Sequence, residues 1–288
     1  MELRILRYFL TVSEEKNITH AAERLHITQP TLSRQLKQLE AELGVTLFYQ
    51  EKRQLLLTKE GLLLKKRAQE ILSLTEKTHQ DLQTIKEELV GTISIGCGET
   101  KSMTLISQNM ANFRKQYPNV QFKIFSSAAD EIKEKLDAGL LDMGLLTKPV
   151  DISTYSYLHM PKQERWGILV KSDSPLSQKF SVSPRDLLHI PLITAQRLQV
   201  MEELKNWFGT SYEQLEIAAT YNLLMNAANM VKNNVGTALC LDLEADFEDL
   251  TFIPLKPALK TGSVLVWKKD ALLSNASRKF IEQLKENI

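Results

Sequence analysis

From Leu62 to Val90 the sequence runs without a proline or a glycine, and residues recur on a heptad. Leu64, Ile71, Thr78 and Ile85 fall in one column, and Ala68, Thr75, Leu82 and Leu89 in the next. An a/d pattern of this kind specifies one long helix with a single narrow seam. About 30 residues at 1.5 Å each give a rod of roughly 45 Å. Thr58 stands where its hydroxyl can cap the start. A rod that long has little of its own chain to cover the seam, so pairing with a second copy through these positions is expected, weakened in mid-rod by Thr75 and Thr78. The rod also divides the chain into a head, 1–58, the rod itself, 59–90, and a tail, 91–288.

The head reads as helical. Leu3, Leu6, Phe9, Leu10 and Ser13 recur at three- and four-residue steps, the mark of an amphipathic first helix. Lys16-Asn17-Ile18 breaks it, and Thr19 can cap a second helix, His20 to His26, whose inner face is Ala21, Ala22 and Leu25. A third helix follows, with Thr28 as N-cap and Pro30 in the first turn, where its missing N–H is no loss. Leu32, Leu36, Leu39 and Leu43 face inward, and Gly44 stops the helix. A short helix, a tight turn and a longer helix packed on a preceding one make a helix-turn-helix.

The outward face of the third helix carries Gln29, Thr31, Ser33, Arg34 and Lys37. Arg and Lys suit guanine, Gln suits adenine, and hydroxyls suit either. They lie in the N-terminal half of the helix, the part that enters a major groove in helix-turn-helix proteins. Beyond Gly44, Leu47–Tyr49 and Leu55–Leu57 read as two short strands around Glu51-Lys52-Arg53, a wing that places Lys52 and Arg53 against the DNA backbone or minor groove. Charge alone says little. Over 1–58 eight Lys and Arg face seven acidic residues, and the whole chain carries +1. Placement carries the argument, because Glu40 and Glu42 sit at the far end of the third helix.

The segment Phe9–Gly61 resembles the DNA-binding region of LysR-type transcriptional regulators. The likeness runs through Ala21-Ala22-Glu23-Arg24-Leu25-His26-Ile27-Thr28-Gln29-Pro30 and Leu32-Ser33-Arg34-Gln35-Leu36-Lys37-Gln38-Leu39-Glu40. It continues through Leu43-Gly44-Val45, Leu47-Phe48 and Leu57-Thr58-Lys59-Glu60-Gly61. The resemblance implies that Gln29, Pro30, Ser33 and Arg34 approach the major groove, that Arg53 serves the wing, and that the long helix dimerises. Gln50 stands where such regulators usually carry Arg, which implies a weaker wing contact. Two heads on one two-fold axis would read an inverted-repeat operator in double-stranded DNA.

In the tail the pattern changes to short apolar runs alternating with helical ones. Strand Thr92–Cys97, helix Leu105–Tyr117, strand Val120–Phe125, helix Glu131–Ala138 and strand Leu141–Leu146 make a βαβαβ unit with a parallel sheet. A second unit has strands near Trp166–Val170, Leu192–Thr194, Glu216–Ala219 and Gly236–Leu241. Strand Ser263–Trp267 and helix Ser277–Glu286 return to the first. The expected fold is therefore α+β multidomain: an N-terminal winged helix-turn-helix, a long linker helix and a C-terminal two-lobed α/β domain of the periplasmic-binding-protein-like kind. Lobe I takes about 91–160 and 266–288, lobe II about 161–265. Ala138-Gly139-Leu140-Leu141-Asp142, Ser174-Pro175-Leu176, Asp186-Leu187 and Val231–Gly236 resemble the effector domain of the same family.

Ligands in open α/β sheets sit beyond the carboxyl ends of strands, near helix N-termini. That rule selects Thr100, Ser102, Ser126, Ser127 and Thr147 in lobe I, and Thr194 and Asn222 in lobe II, as effector-binding candidates. Hydroxyls and helix N-termini suit a small molecule of anionic character. Ser, Thr and Asn are also the ordinary turn and cap residues at such places.

Other classes are disfavoured. The N-terminus interleaves charge with apolar residues, unlike a secretory signal, and no stretch reaches the roughly 20 apolar residues of a membrane span. Gly96-Cys97-Gly98-Glu99-Thr100-Lys101-Ser102 lacks the spacing of a phosphate loop. No catalytic constellation, cofactor motif or metal-ligand spacing occurs, and Cys97 and Cys240 form no framework, which fits a reducing cytoplasm. The expectation is a cytoplasmic regulator, dimeric or tetrameric, with a solute-binding protein as the alternative.

Overall fold

The computed structural model describes residues 1–52, 54–83, 89–269, 271 and 273–288, with residues 80–83 as backbone only. Contacts divide the chain into two compact units, Met1–Ile85 and Lys86–Ile288. Among the described residues no helix is long and apolar enough to cross a membrane.

In the first unit, α1 (Leu3–Glu15), α2 (Ile18–Arg24) and α3 (Gln29–Leu43) enclose a core of Ile5, Leu6, Phe9, Val12, Ala21, Ala22, Leu32, Leu36 and Leu39. Ala21 and Ala22 are fully packed, so their small side chains set how closely the helices approach. The second helix is capped by Asn17, not Thr19: Asn17 Oδ1 accepts from the Thr19 and His20 amides at 2.8 and 3.3 Å. Asn reaches back over its own first turn as well as any cap residue does. At the end of α3, Gly44 adopts φ +69°, a left-handed stop that any side chain would strain. Leu43, expected inside, is exposed, because the last turn of α3 runs past the core.

Strands β1 (Phe48–Glu51) and β2 (Gln54–Leu57) pair antiparallel, with Glu51 opposite Gln54. Lys52 adopts φ 46° in the intervening turn. Arg53 lies outside the described residues. Glu40 fixes the hairpin's entry, its Oε1 accepting from the Leu47 and Phe48 amides at 2.7 and 3.3 Å.

Helix α4 (Lys59–Gln83) starts as expected, Thr58 Oγ1 accepting from the Gly61 amide at 2.9 Å. Its seam is used differently from the expectation. Ala68 is fully buried in the head's own core, with Leu64, Ile71 and Leu72 packed around it. These positions are covered by α1 of the same chain, which lies along the first turns of the rod. Thr75 is half-buried and Thr78 exposed, and their hydroxyls donate to the Ile71 and Leu74 carbonyls at 2.8 Å. Leu82 lies among the residues without described side chains, and Ile85 lies outside the described residues. Leu89 packs on the core of the second unit instead of continuing a rod seam. Among the described residues, the large apolar side chains that α4 leaves exposed are Leu62, Leu63 and Leu74.

The second unit is two α/β lobes sharing two long strands, β6 (Tyr155–Lys171) and β11 (Lys260–Lys268). Lobe I has β3 (Gly91–Cys97), α5 (Ser102–Gln116), β4 (Val120–Ser126), α6 (Ala129–Asp137), β5 (Met143–Thr147) and α9 (Asn275–Asn287). Its sheet runs β4-β3-β5-β11-β6. Lobe II has β7 (Leu192–Ala195), α7 (Leu198–Phe208), β8 (Ile217–Tyr221), α8 (Leu224–Lys232), β9 (Thr237–Leu241) and β10 (Leu250–Pro254). Its sheet runs β6-β9-β7-β8, with β10 on the other edge of β6. The sheets are mixed, not parallel throughout. β4, β3 and β5 are parallel, but β11 is antiparallel to β5 and β6, because the chain crosses between lobes along these strands and must return. α9 does return to lobe I, where Phe280, Ile281 and Leu284 join Ile93, Phe113 and Leu265.

Candidate DNA-reading face and effector cleft

On α3, Gln29, Pro30, Arg34 and Lys37 are exposed and Thr31 and Ser33 half-exposed. Gln29, Ser33 and Lys37 fall four residues apart, and Pro30 and Arg34 share the adjoining row, so one helix face presents them all. Thr28 holds the N-cap position, but its hydroxyl pairs with that of Thr31 at 2.9 Å and caps no amide. The near-neutral head is electrostatically uneven. Arg24 is held by Glu14 and Glu15 at 2.9 Å each, Arg4 by Glu2, and the N-terminal amine by Glu42. Arg34, Lys37 and Lys52 have no ion-pair partner among the described residues. Four acids are thus occupied by cations elsewhere, and the α3 face keeps its positive charge.

Between the lobes of the second unit lies a cleft of about 740 Å³. Its walls are largely apolar, from Ile132, Leu145, Leu146, Trp166, Val200 and Leu241. Three helices begin at it: α6 from lobe I, and α7 and α8 from lobe II. The residues before α6 and α7 put no side-chain cap on the first amides, whereas the first amide of α8, at Leu224, donates to Glu99 of lobe I. First-turn N–H groups and the positive helix end make each an anion-favouring locus, the one at α8 already taken up by Glu99. Arg197, just before α7, extends its guanidinium into the cleft. Its Nη1 donates to the Thr147 carbonyl of lobe I at 3.2 Å, and Nε stands 3.5 Å from Asp130 Oδ2. Only 11% of this side chain is exposed, and Nε has no hydrogen-bond acceptor.

Of the seven effector candidates, the cleft brings together Ser127, Thr147 and Asn222. Thr100 and Ser102 turn away from it. The Thr100 hydroxyl donates to buried Glu164, and Ser102 Oγ pairs with Ser263 Oγ at 2.6 Å, joining α5 to the crossing strands. Thr194 is buried within β7, and Ser126 is exposed outside the cleft. Strand-end position alone does not determine which way a hydroxyl points. Ser127 in turn donates to Glu131. Sequence reasoning missed Arg197, Lys148, Glu99 and Trp166. The helical spacing of Val200, Leu204 and Phe208 was the available signal for α7, and hence for a basic residue at its start. Cys240 lines the cleft as a buried thiol whose pKa burial pushes up, and burial raises that of Cys97 to about 12. Neither supplies a thiolate at neutral pH.

Comparison with known proteins agrees with this geometry. Residues 3–62 match the bacterial regulatory helix-turn-helix protein family, lysR, and residues 86–288 match the LysR substrate binding domain. The chain is 28% identical to the HTH-type transcriptional regulator BsdA of Bacillus subtilis (strain 168), over 98% of this chain and 99% of that one. It is also 28% identical to the Hca operon transcriptional activator HcaR of Escherichia coli (strain K12), over 100% and 98%. The crystal structure of CbnR, a LysR family transcriptional regulator, shares the fold with a TM-score of 0.81 at 22% identity, covering 99% of both chains. CbnR complexed with its target DNA gives 0.78. The chain belongs to the LysR family of DNA-binding transcriptional regulators, with a helix-turn-helix head and an effector-binding domain, and is not an enzyme.

Proposed function

We propose that the effector of this regulator is a small organic anion with an apolar body, bound in the cleft between the lobes. The observation that carries this reading is the convergence on one apolar cavity of Arg197, the uncapped starts of α6 and α7, and the start of α8, whose first amide already holds a carboxylate. The guanidinium and the amides match a carboxylate, and the walls match hydrocarbon. Lys148, exposed at the cleft, adds a second cation. Ser127, Thr147 and Asn222 are among the polar residues of the lining.

On the DNA side, Gln29, Pro30, Thr31, Ser33, Arg34 and Lys37 would meet base edges and phosphates, with Thr28 and Lys52 beside the backbone. The working species would be a cytoplasmic homodimer or higher oligomer on an inverted repeat. Leu63 and Leu74 support self-association: they lie eleven residues, three helical turns, apart and return to one face of α4, where both are exposed. An effector can shift DNA binding only through unequal affinity for two arrangements of the protein.

The test is a thermal-shift panel of benzoate, phenylacetate and octanoate against their amides, followed by fluorescence anisotropy on DNA upstream of the protein's own gene. At least one acid should raise the melting temperature with concentration, its amide should not, and Arg197→Met should remove the response. The same acid should change the affinity for DNA. Equal responses to acid and amide, or none, would end the anionic reading.

A further inference from the structure

One carboxylate already occupies part of this cleft. Glu99 lies in the loop between β3 and α5 of lobe I, and its Oε2 accepts a hydrogen bond from the backbone amide of Leu224, the first residue of α8 in lobe II. Both residues line the cavity. The residue before Leu224 is Leu223, which has no polar side chain to cap the helix, so a group from the opposite lobe takes that role. Glu99 is exposed, and among the described residues no cation pairs with it.

We propose that Glu99 is a tethered competitor of the effector: its carboxylate holds the first α8 amide in the free protein and must be displaced when an anionic ligand reaches it. The proposal rests on the anionic reading above and adds a regulatory element to the same site. Two arguments support it. First, Glu99 bridges the lobes, so displacing it removes one lobe–lobe contact while the ligand supplies another, through Arg197 and the start of α6. Binding and lobe arrangement are then coupled at one amide. Second, an exposed carboxylate at a helix end is held weakly, since solvent screens both the charge and the helix dipole. A weak internal anion lowers apparent affinity and discriminates: a ligand must offer a negative charge to replace it, and a neutral analogue gains nothing there.

The experiment is hydrogen exchange on the full-length protein, native and Glu99→Ala, read at the start of α8 and the start of α6, with benzoate titrated as the probe. Without benzoate, the Leu224 amide should exchange faster in Glu99→Ala by about two- to five-fold. With benzoate, that amide should be half-protected at a concentration about two- to five-fold lower in Glu99→Ala than in the native protein, with Glu99→Gln between the two. Unchanged exchange at Leu224, or an equal or higher benzoate requirement in Glu99→Ala, would overturn the proposal. If benzoate protects the start of α6 equally in both proteins and leaves α8 unaffected, the cleft takes anions but Glu99 does not compete. If neither benzoate nor, in its place, phenylacetate or octanoate protects either helix, the anionic reading falls with the proposal. Because Glu99 is exposed, the alanine variant should fold, and a single cooperative melting transition with native far-UV circular dichroism would verify that.

Discussion

A β carbon on Gly61 would sit 2.2 Å from the carbonyl oxygen of Leu47. That oxygen already accepts from the Thr58 amide at 3.0 Å, so the start of α4 and the entry to the wing are fastened backbone to backbone. Gly61→Ala must push the two apart, and overpacking of this kind costs roughly 1–3 kcal/mol. Urea unfolding of the full chain should show an earlier transition for the head. An unmoved midpoint would mean that α4 can slide without loss.

Arg34 and Arg24 separate charge from placement. Arg34 is exposed on α3 without an ion pair, whereas Arg24 is held by two glutamates. Arg34→Ala should weaken operator binding by about 1–3 kcal/mol and relax the preference at one base pair. Arg24→Ala should leave affinity near native. Anisotropy against single-base operator variants distinguishes the cases, and an equal loss on every sequence would make Arg34 a phosphate contact.

Glu164 predicts a pH dependence. It is 1% exposed on β6, and burial pushes its carboxyl pKa above the usual range against the hydrogen bonds from Thr100 and the Lys101 amide. A raised folded-state pKa means that the folded protein keeps the proton longer. Its stabilising effect is present below about 4.3, the unfolded value, and is lost as pH rises through the folded value. Glu164→Gln keeps an acceptor and removes the charge. Its melting temperature at pH 7 should be no lower than native, with a flatter profile above pH 4. Glu164→Ala should lose about 1–3 kcal/mol at every pH by orphaning the donors. A Gln variant that melts earlier only at neutral pH would show that the charge itself stabilises.

Cys97 and Cys240 should both resist thiol reagents. They are 5% and 1% exposed, and burial raises both pKa values. Reaction with a chromogenic disulfide at pH 8 should be negligible in the native state and complete in guanidinium. Rapid labelling of one thiol under native conditions would reveal an opening of the cleft wall or of β3.

The two apolar faces of α4 should respond differently to charge. Ala68→Lys buries an ammonium in the head core and should prevent the head from folding. Leu63→Lys with Leu74→Lys should leave the fold intact and shift sedimentation toward monomer. A double variant that sediments as native would remove α4's exposed face from the association surface.

Local order along the sequence accounts for much of what could be read from it. Pro30, Gly44 and Thr58 act within a turn of themselves, so the bounds of α3 and the start of α4 follow from neighbours a few residues away. The alternation of short apolar runs with helices gave the βα order of lobe I and the return of α9, because each element is patterned by its own burial. Arg34 was legible for the same reason: α3's inner leucines fix its outer face.

What a hydroxyl points at, or which partner covers an apolar stripe, depends on atoms far away in the chain. Thr100 and Ser102 face β6 and β11, some 60 and 160 residues on, and their sequence neighbourhood holds no trace of Glu164 or Ser263. Ala68 and Ile71 kept the heptad spacing but were claimed by α1 of their own chain, since periodicity records that a face is buried and not against what. The cleft chemistry of Arg197 and Glu99 exists only because β6 and β11 carry the chain between two lobes, bringing distant loops to one cavity. Sequence determined the elements and their outward faces; the long-range packing alone decided which of those faces meet.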